Sequence, residues 1–331
     1  MSKLKFLRKI SSQKKYLIDF SNLRDNLIPY QNLNSSFSDL KKIIDNPHMG
    51  LPILFPKKLK YFKYNKKEEL KLQKSIILEK IFLSENKDYK PYKNFIKSGT
   101  IYKNNLVING KYLVIVNEIT KFNKRSINTI REINNKYKTT CAFQTRNIPH
   151  SGHEEIIRYL LKKFDHVVIN PIIGPKKKGD VNFEVLKEAY DYIINSKFKK
   201  KLSYVPIIAN MFYAGPREAI HHSNIRKSIG FKNFVVGRDH AGAFNNYKPL
   251  DAHKLILKYK NKIKINIETH KGAYYCQDCK RISVNFNCKH KNFKNISGTE
   301  FRKKLERKKL FFFADKNLQK RLHNLKIKLF I

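Results

Sequence analysis

The sequence contains few cysteines, comparatively few acidic residues and no long apolar run. Cysteine accounts for 4 of its 331 residues, which is too few for a disulfide-stabilised scaffold in a chain of this length. No segment approaches the roughly 18 consecutive apolar residues that a membrane-spanning helix needs. Residues 1–20 are basic and lack the apolar segment and small-residue cleavage site of a secretory signal. We therefore expect a mature, cytoplasmic protein without a membrane span.

Acidic residues are far outnumbered, because 26 Asp and Glu stand against 70 Lys and Arg, for a formal net charge of +44. A surplus of this size usually favours a polyanionic partner. The lysines are spread along the whole chain, however, as in a general composition bias rather than in one basic stripe. We therefore do not expect nucleic acid to be the main partner, although a strongly positive protein attracts small anions.

The apolar content supports a folded protein of more than one domain. Hydrophobic residues make up 41% of the chain and aromatic residues 12%, enough for a sizeable core despite the charge. At roughly 150 residues per domain, the length corresponds to about two domains. Residues 1–138 show short apolar runs between Lys- and Asn-rich stretches, and residues 111–117, rich in β-branched and aromatic side chains, predict a strand. We interpret this N-terminal part as β-rich.

From residue 139 onward, short apolar strands alternate with amphipathic helices. The strands are predicted at 139–145, 166–170, 204–209, 234–236 and 264–267, and the helices at 153–164, 183–198, 217–229 and 251–259. This alternation is typical of βαβ units, and it predicts an α/β fold with a parallel sheet covered on both faces. Ligands of such sheets bind beyond the carboxyl ends of the strands. Four polar loops that come after strands should therefore converge on one site: QTRNIPHSGH, GPKKKGD, MFYAGPRE and GRDHAG.

The first of these loops, residues 144–153, leads from a strand into a helix. Free backbone N–H groups and the positive end of the helix dipole bind phosphate at such a position. His150 and His153 are three residues apart and can face the same way. A His-x-x-His pair alone is also typical of a capped helix with two surface histidines. With Arg146 and Asn147 directly upstream, we favour a site that stabilises negative charge on a phosphoryl group.

Two further segments have the character of anion-binding loops. GRDHAG places charged residues between glycines directly after an apolar strand, where Arg238 could bind a phosphate with its forked donors. The backbone N–H of Ala241 could also bind an anion. The competing interpretation is a polar turn in which Asp239 caps the next segment of the chain. ISGTEFR, at residues 296–302, predicts a helix N-terminus that is either an ordinary cap or a second phosphate site.

Three of the cysteines lie close together, in the pattern Cys276-x2-Cys279-x8-Cys288-x-His290. Two thiolates at this spacing form a knuckle, and a Cys/His pair can complete a tetrahedral Zn²⁺ site. With four protein ligands, such a site would be structural rather than catalytic. Because His290 is separated from Cys288 by only one residue, His270 is an alternative fourth ligand. The competing interpretation is three partly buried free thiols.

QTRNIPHSGHEE resembles the Gln-Thr-Arg-Asn…His-x-x-His motif of the ATP sulfurylase (sulfate adenylyltransferase) family. Other segments are similar to further signatures of that family, in the same order: NPIIGPKKKGDV, MFYAGPREAIHHSNIRKSIGFKNFVVGRDHAG and ISGTEFRKKL. The resemblance covers about residues 108–310, and it is specific because four long motifs agree in order and spacing. The cysteine-rich segment before ISGTE resembles a zinc knuckle found in some bacterial members.

The resemblance implies a nucleotidyltransferase that transfers AMP from MgATP to sulfate, giving adenosine 5′-phosphosulfate and pyrophosphate, in a homo-oligomer. It implies a PUA-like domain at residues 1–138, a catalytic core of the His-x-Gly-His class at 139–268 and a C-terminal subdomain with the zinc knuckle at 269–331. Sulfate would be bound by Gln144, Arg146 and the backbone of Ala241. The implied catalytic residues are Thr145, Arg146, Asn147, His150 and His153. The implied ATP-binding residues are Gln144, Arg146, Asn147, His150, His153, Gly237, Arg238, Asp239 and His240.

The residues suit this chemistry without the family label. Sulfate is a poor nucleophile and transfer at the α-phosphorus needs no side-chain nucleophile, so positioning and charge stabilisation would carry the rate. Mg²⁺ on the pyrophosphate would assist the leaving group. The sequence departs from the family at Ile148-Pro-His-Ser-Gly-His153, where the usual motif is Pro-Met-His-Arg-Ala-His. It also has no P-loop, so we expect no fused APS kinase domain.

Two alternatives stay open at this point. The first is a nucleotidyltransferase of the same superfamily with a different acceptor, and QTRN argues against it because a glutamine and an arginine that converge on an oxyanion suit sulfate. The second is a zinc-knuckle nucleic-acid-binding protein, which would show salt-dependent DNA or RNA binding and no ATP turnover.

Overall fold

The computed structural model describes residues 15–33, 35, 37–56, 62–64, 69–71, 99–102, 106–176, 178–240 and 247–331. Its helices are α1 (Lys15–Arg24), α2 (Phe37–Asp45), α3 (Gly110–Lys136), α4 (Ser151–Leu160), α5 (Phe183–Lys197), α6 (Pro216–Ser228), α7 (Asp251–Lys258), α8 (Gly298–Glu306) and α9 (Lys316–His323). Its strands are β1 (Phe55–Pro56), β2 (Phe62–Tyr64), β3 (Glu69–Lys71), β4 (Gly99–Tyr102), β5 (Leu106–Ile108), β6 (Thr140–Phe143), β7 (His166–Ile169), β8 (Ile172–Ile173), β9 (Leu202–Tyr204), β10 (Ile207–Ile208), β11 (Asn233–Val236), β12 (Asn266–Thr269), β13 (Ala273–Cys276), β14 (Arg281–Val284) and β15 (Phe293–Asn295). Within these segments, no helix is long and apolar enough to cross a membrane.

A five-stranded parallel sheet forms the centre of the molecule, in the order β12-β11-β6-β7-β9. The predicted α/β fold with a parallel sheet is therefore confirmed. Strand β6 lies in the middle, and the chain builds outward from it to β7 and β9 on one side and later to β11 and β12 on the other. This order reverses between β6 and β11, which leaves a crevice at the carboxyl ends of these strands.

Both faces of the sheet are covered, and alternate residues of each strand belong to different apolar clusters. Cys141 and Phe143 of β6 pack with α4, α5, α8 and α9, whereas Ala142 between them packs with α1, α2, α3, α6 and α7. β6 and β7 are buried along their whole length. Burial on both faces explains why these strands read as continuous apolar runs rather than as alternating patterns.

The prediction of a strand at residues 111–117 is wrong, because these residues lie at the start of the 27-residue helix α3. Val116 and Ile119 are fully buried in an apolar cluster that they share with α1 and β10, while Val114 stays 68% exposed. The side chain of Asn123 fixes the helix to β10: its Nδ2 donates to the Ile208 carbonyl at 3.0 Å and its Oδ1 accepts from the Ile208 N–H at 2.8 Å. A β-branched run favours a strand locally, but burial of a helical face along α3 outweighs that preference.

The strand predicted at residues 204–209 is divided in two. Pro206 has no N–H to donate, so the ladder of β9 ends before it. The chain resumes as β10, which pairs in parallel with β8 in a separate two-stranded sheet. The strand predicted at 264–267 is present as β12, two residues later along the chain.

The described part of residues 1–138 is mainly helical rather than β-rich. Helices α1, α2 and α3 are its longest elements, and strands β1 to β5 span two to four residues each in small antiparallel sheets. Leu17, Ile18 and Leu40 are fully buried in the same apolar cluster as Val168 of the central sheet. The apolar residues of α1 and α2 therefore bury against the core at helical spacing. A PUA-like fold and a domain limit at residue 138 stay predictions.

The C-terminal part is an antiparallel three-stranded sheet with two helices after it. The strand order is β14-β13-β15. Phe301 of α8 and Phe311 stack with ring centroids 5.2 Å apart. Lys197 at the end of α5 bonds Glu154 of α4 and Asp315 at the start of α9, each at 2.9 Å. These contacts fix the C-terminal helices beside the crevice.

Candidate active site

A cavity of about 250 Å³ lies at the carboxyl ends of β6, β11 and β12, where the strand order reverses. Its lining includes four consecutive residues of the loop after β6, which are Gln144, Thr145, Arg146 and Asn147. The loop after β11 contributes Gly237, Arg238, Asp239 and His240. Met211, from the loop after β10, also lines it. Ala241 lies outside the described residues. Three of the polar loops singled out in the sequence therefore meet at this cavity.

Arg146 is held at the cavity wall by a carboxylate and an aromatic ring. Its Nη1 lies 3.7 Å from Oδ1 of Asp180, which is longer than a hydrogen bond. The guanidinium carbon lies 5.5 Å from the ring centroid of Tyr213. The Tyr213 hydroxyl in turn donates to Oδ2 of Asp180 at 2.5 Å. Because Asp180 ends the GPKKKGD loop, the fourth polar loop also reaches this site, through Arg146.

A second buried cation lies beside the same carboxylate. The ammonium nitrogen of Lys176 is shielded from solvent and has no hydrogen-bond partner among the described residues. Burial lowers the pKa of Lys176 to about 8, and the nearby Asp180 opposes this shift while Arg146 adds to it. The surroundings of Asp180 therefore carry an excess of positive charge.

Arg302 brings the ISGTEFR segment to the site. Its Nη1 donates to Oδ1 of Asn147 at 3.4 Å. Burial lowers the pKa of Arg302, and the charge of Arg146 lowers it further. The segment forms the start of α8, with Ser297 as the N-cap that accepts from the N–H of Glu300 at 3.1 Å. Asn147 is therefore fixed from outside its own loop.

The two histidines of the first loop have different positions. His150 is the N-cap of α4: its Nδ1 accepts from the N–H of Gly152 at 3.1 Å, and a Cβ on Gly152 would lie 3.0 Å from the ring. His153 accepts the N–H of His150 at its own Nδ1, at 3.4 Å. Only His153 of the two lines the cavity.

Both of these imidazoles are neutral donors. Burial lowers the pKa of His150 to about 4, and burial together with the adjacent His150 lowers the pKa of His153 well below 6.5. Since Nδ1 of each ring accepts a backbone N–H, the ring proton of each lies on Nε2. His153 therefore offers the cavity an N–H donor without a positive charge.

Arg238 also lines the cavity, and its Nη1 donates to the hydroxyl of Tyr274 of β13 at 2.7 Å. The backbone carbonyl of Arg238 accepts from the N–H of Leu250 at 2.9 Å. The preceding residue, Gly237, faces His270, since a Cβ at this position would lie 3.4 Å from Nε2 of that histidine. Arg146 and Arg238 thus line a single cavity.

A buried chain of polar side chains supports His240. Glu218 of α6 accepts from the N–H groups of Phe212 at 2.9 Å and Ala214 at 2.6 Å. Nε2 of His222 lies 3.3 Å from Oε1 of the same carboxyl group, and Nδ1 of His222 lies 3.0 Å from Nε2 of His240. The chain therefore ties the loop after β10 to the loop after β11.

A family model for ATP-sulfurylase matches residues 121–311 of the chain. The chain belongs to the ATP-sulfurylase family. It is 38% identical over 211 residues to the sulfate adenylyltransferase of Pyrococcus abyssi, covering 60% of this chain and 55% of that one. The sulfate adenylyltransferase of Hyperthermus butylicus is 40% identical over 172 residues, covering 51% and 44%.

The chain spans about half the length of these curated relatives. The solved structure of a hexameric APS kinase from Thiobacillus denitrificans superposes on 69% of this chain and 43% of that chain, with a TM-score of 0.46 and 13% identity. This overlap is too partial to bear on function. The matched family region contains both the cavity loops and the cysteine-rich segment.

Several cavity neighbours in this ATP-sulfurylase family member were missed as site residues by sequence reasoning. Met211 and Tyr213 belong to a loop that the sequence singles out, and Asp180 ends another. The sequence therefore indicates the loops that contain these residues, but nothing in it marks the individual residues. Met211 touches Gln144, whose Nε2 lies 3.8 Å from its Sδ. His270 lines the cavity, although its position after β12 and before the cysteines suggests only a metal ligand.

The cysteine-rich segment of this family member brings four ligand atoms together. The side chains of Cys276, Cys279, Cys288 and His290 place these atoms within 4.8 Å of one another. Cys288 Sγ lies 3.7 Å from each of the other two sulfurs and 3.2 Å from Nδ1 of His290. Sulfurs around a tetrahedral ion at about 2.3 Å would be roughly 3.8 Å apart. The donor set and its spacing therefore fit Zn²⁺, and His270 is not part of the cluster.

Proposed function

We propose that the protein is a sulfate adenylyltransferase, which converts ATP and sulfate to adenosine 5′-phosphosulfate and pyrophosphate in a reversible reaction. The observation that carries the proposal is the shared cavity. Gln144 and Arg146 enter it from β6, and His153 and Arg238 enter it from α4 and the loop after β11. An oxyanion and a nucleotide can therefore be bound face to face at the reversal of the strand order.

Sulfate binds on the side of Gln144 and Arg146. The amide offers N–H donors, and the guanidinium offers a fork of donors that matches two oxygens of a tetrahedral oxyanion. Asp180 and Tyr213 set the orientation of that guanidinium. The backbone N–H of Ala241 is the further sulfate donor in this proposal.

The phosphates of ATP bind near the start of α4. The positive end of the helix dipole favours negative charge there, whereas the N–H groups of Ser151 and Gly152 are already bonded, to the Phe313 carbonyl at 2.8 Å and to Nδ1 of His150 at 3.1 Å. The Nε2–H of His153 and the guanidinium of Arg238 add donors from two other directions. Thr145 and Asn147 also line the cavity, and they belong to the reacting centre in this proposal. His150 acts through the helix that it caps, and Gly237, Asp239 and His240 form the nucleotide wall.

In the reaction, an oxygen of sulfate attacks the α-phosphorus, and the bond from that phosphorus to the pyrophosphate oxygen breaks. Negative charge develops on the α-phosphoryl oxygens and on the leaving group. Preorganised donors stabilise that charge, and Arg146 is placed to serve both reactants. No side chain forms a covalent bond, so the rate depends on alignment and electrostatics. Mg²⁺ enters with ATP as part of the substrate.

Zn²⁺ bound by Cys276, Cys279, Cys288 and His290 is structural in this proposal, because four protein ligands leave no open position. Cys276 ends β13, and Tyr274 of the same strand accepts the hydrogen bond from Arg238. The ion therefore stabilises a small sheet that supports the cavity. A homo-oligomer in the cytoplasm, a PUA-like N-terminal domain and limits near residues 138 and 268 complete the proposal.

The test is exchange of labelled pyrophosphate into ATP by the purified chain, measured with and without sulfate. Exchange should require sulfate, because pyrophosphate can re-form ATP only from adenosine 5′-phosphosulfate. Molybdate in place of sulfate should support breakdown of ATP to AMP, since the mixed anhydride that it forms hydrolyses. Exchange that proceeds equally without sulfate would point to another acceptor. The absence of any turnover, together with salt-dependent nucleic-acid binding, would contradict the enzyme assignment.

A further inference from the structure

His270 lines the cavity and has a ring nitrogen without a hydrogen-bond partner among the described residues. The residue is 7% exposed, and its Nε2 is shielded from solvent and makes no hydrogen bond within the described part of the chain. A buried donor or acceptor that is left unpaired destabilises the folded protein. Such groups are rare in folded proteins and call for an explanation, for which a ligand in the cavity is a candidate.

The hydrogen bonds around the ring fix where its proton lies. The N–H of Gly272 donates to Nδ1 of His270 at 3.2 Å. Burial lowers the pKa of His270 to about 3, with His253, His153 and Arg238 adding to the effect, so the ring is neutral. A neutral imidazole whose Nδ1 accepts has its proton on Nε2. The unpartnered atom is therefore an N–H donor.

The position of the His270 ring indicates which substrate can accept a hydrogen bond from this donor. A Cβ on Gly237 would lie 3.4 Å from Nε2, so a side chain at position 237 would pack directly against the donor. His153 and Arg238 are the cavity residues that lie close enough to His270 to influence its protonation, and the proposed function assigns both to the nucleotide. Arg146 lies with Asp180 and Tyr213, and the proposed function assigns Arg146 to the oxyanion.

We propose that His270 is a further substrate-binding residue whose Nε2–H donates a hydrogen bond to an acceptor atom of the adenosine nucleotide. The inference rests on the proposed function, because it requires ATP in this cavity. From the sequence, His270 is instead a candidate zinc ligand, because it is a histidine shortly before the cysteine-rich segment. In the fold, β13 carries the metal cluster away from the cavity and leaves His270 at the end of β12.

The experiment compares ATP binding by calorimetry, without sulfate, in the wild-type protein, His270→Leu and His270→Gln. Leucine removes the donor, whereas the glutamine amide can place an N–H near the position of Nε2. We expect His270→Leu to weaken ATP binding about 3- to 10-fold, as for loss of one neutral hydrogen bond, and His270→Gln to recover most of the loss. Inorganic tripolyphosphate is the second ligand. If His270→Leu weakens tripolyphosphate binding as much as ATP binding, the acceptor atom is on a phosphate. If it weakens only ATP binding, the acceptor atom is on the base or ribose.

His166→Leu is the matched control. His166 is also buried, at 2% exposure, but it lies at the opposite end of the sheet, where Nε2 contacts Ser203 at 2.8 Å. Loss of this imidazole should leave ATP affinity unchanged. In the ¹⁵N-histidine-labelled wild-type protein, the Nε2–H resonance of His270 should shift on addition of ATP, a readout that does not depend on a variant folding.

The inference is overturned if folded His270→Leu binds ATP with unchanged affinity. It is also overturned if the Nε2–H resonance of His270 does not shift when ATP is added. If the wild-type protein still shows sulfate-dependent exchange, the proposed function stands in that case. A wild-type protein that binds no ATP overturns both. Equal weakening in His270→Leu and His270→Gln also contradicts the inference, because it indicates a loss of packing rather than of the donor.

Discussion

Arg146→Ala tests whether the cavity stabilises an oxyanion. The substitution removes a guanidinium whose side chain is 27% exposed and whose Nη1 lies 3.7 Å from Oδ1 of Asp180. Asp180 keeps its hydrogen bond from the Tyr213 hydroxyl and the nearby charge of Lys176. No buried carboxylate is therefore left without a partner, so the loss should fall on the reaction rather than on folding.

The size of the effect can be worked out from the hydrogen bonds that a guanidinium makes to an oxyanion. A hydrogen bond to a charged group contributes about 1.5–3 kcal/mol, and a fork of donors can make two of them. The lower end for both gives about 3 kcal/mol, and each 1.36 kcal/mol is a factor of ten in rate. We therefore expect kcat/KM to fall by about two orders of magnitude or more. Arg146→Lys should recover only part, because an ammonium lacks the fork.

The assay is sulfate-dependent pyrophosphate exchange, with circular dichroism to confirm that each variant is folded. Arg158→Ala is the matched control: Arg158 lies on the outer side of α4, its side chain is 47% exposed, and it bonds Glu155 at 3.1 Å. This control should keep activity within about twofold of wild type, since an exposed ion pair contributes roughly 1 kcal/mol or less and only to stability. A folded Arg146→Ala protein with near-wild-type sulfate-dependent turnover would refute the site assignment.

Three further predictions address the remaining parts of the site. His153→Ala should also lower kcat/KM by about two orders of magnitude, and full activity in this variant would remove α4 from the proposed phosphate site. The native protein should contain about one Zn²⁺ per chain, and Cys276→Ser should release it and lower Tm more than it alters kcat; metal analysis that finds no zinc would contradict this. Burial lowers the pKa of His150 to about 4 from roughly 6.5 in the unfolded chain, so between these values the unfolded chain binds more protons and stability falls as the pH falls. The free energy of unfolding of wild type relative to His150→Gln should drop by about 2 kcal/mol between pH 7 and pH 5, measured by urea denaturation; a pH-independent difference would show that His150 is not held neutral.

The central sheet could be predicted from the sequence because both faces of each strand are buried. Runs such as TCAF and HVVI carry a signal that depends on composition alone, and the helices between them show their apolar periodicity clearly. The loops after these strands could be singled out for a related reason. Chain direction in a parallel sheet brings the carboxyl ends of the strands to one edge, whatever the side chains are.

Helix α3 could not be predicted in the same way. Residues 111–117 have strong local β propensity, and their place in a helix depends on the burial of Val116 and Ile119 in an apolar cluster with α1 and β10, which are distant in sequence. The role of His270 was hidden for a similar reason. Its neighbours Gly237 and Arg238 lie more than thirty positions earlier in the sequence, and no local pattern relates them.

The sequence by itself determined the family, the parallel α/β core and the residue types of the candidate site. These properties depend on local periodicity and on motifs that are contiguous in the chain. Only the tertiary structure decided that Arg146 and Arg238 share a cavity, that His150 caps a helix while His153 lines that cavity, and that His290 rather than His270 joins the three cysteines. Each of these depends on distances between side chains on different elements, which are fixed by packing and hydrogen bonding and not by sequence separation.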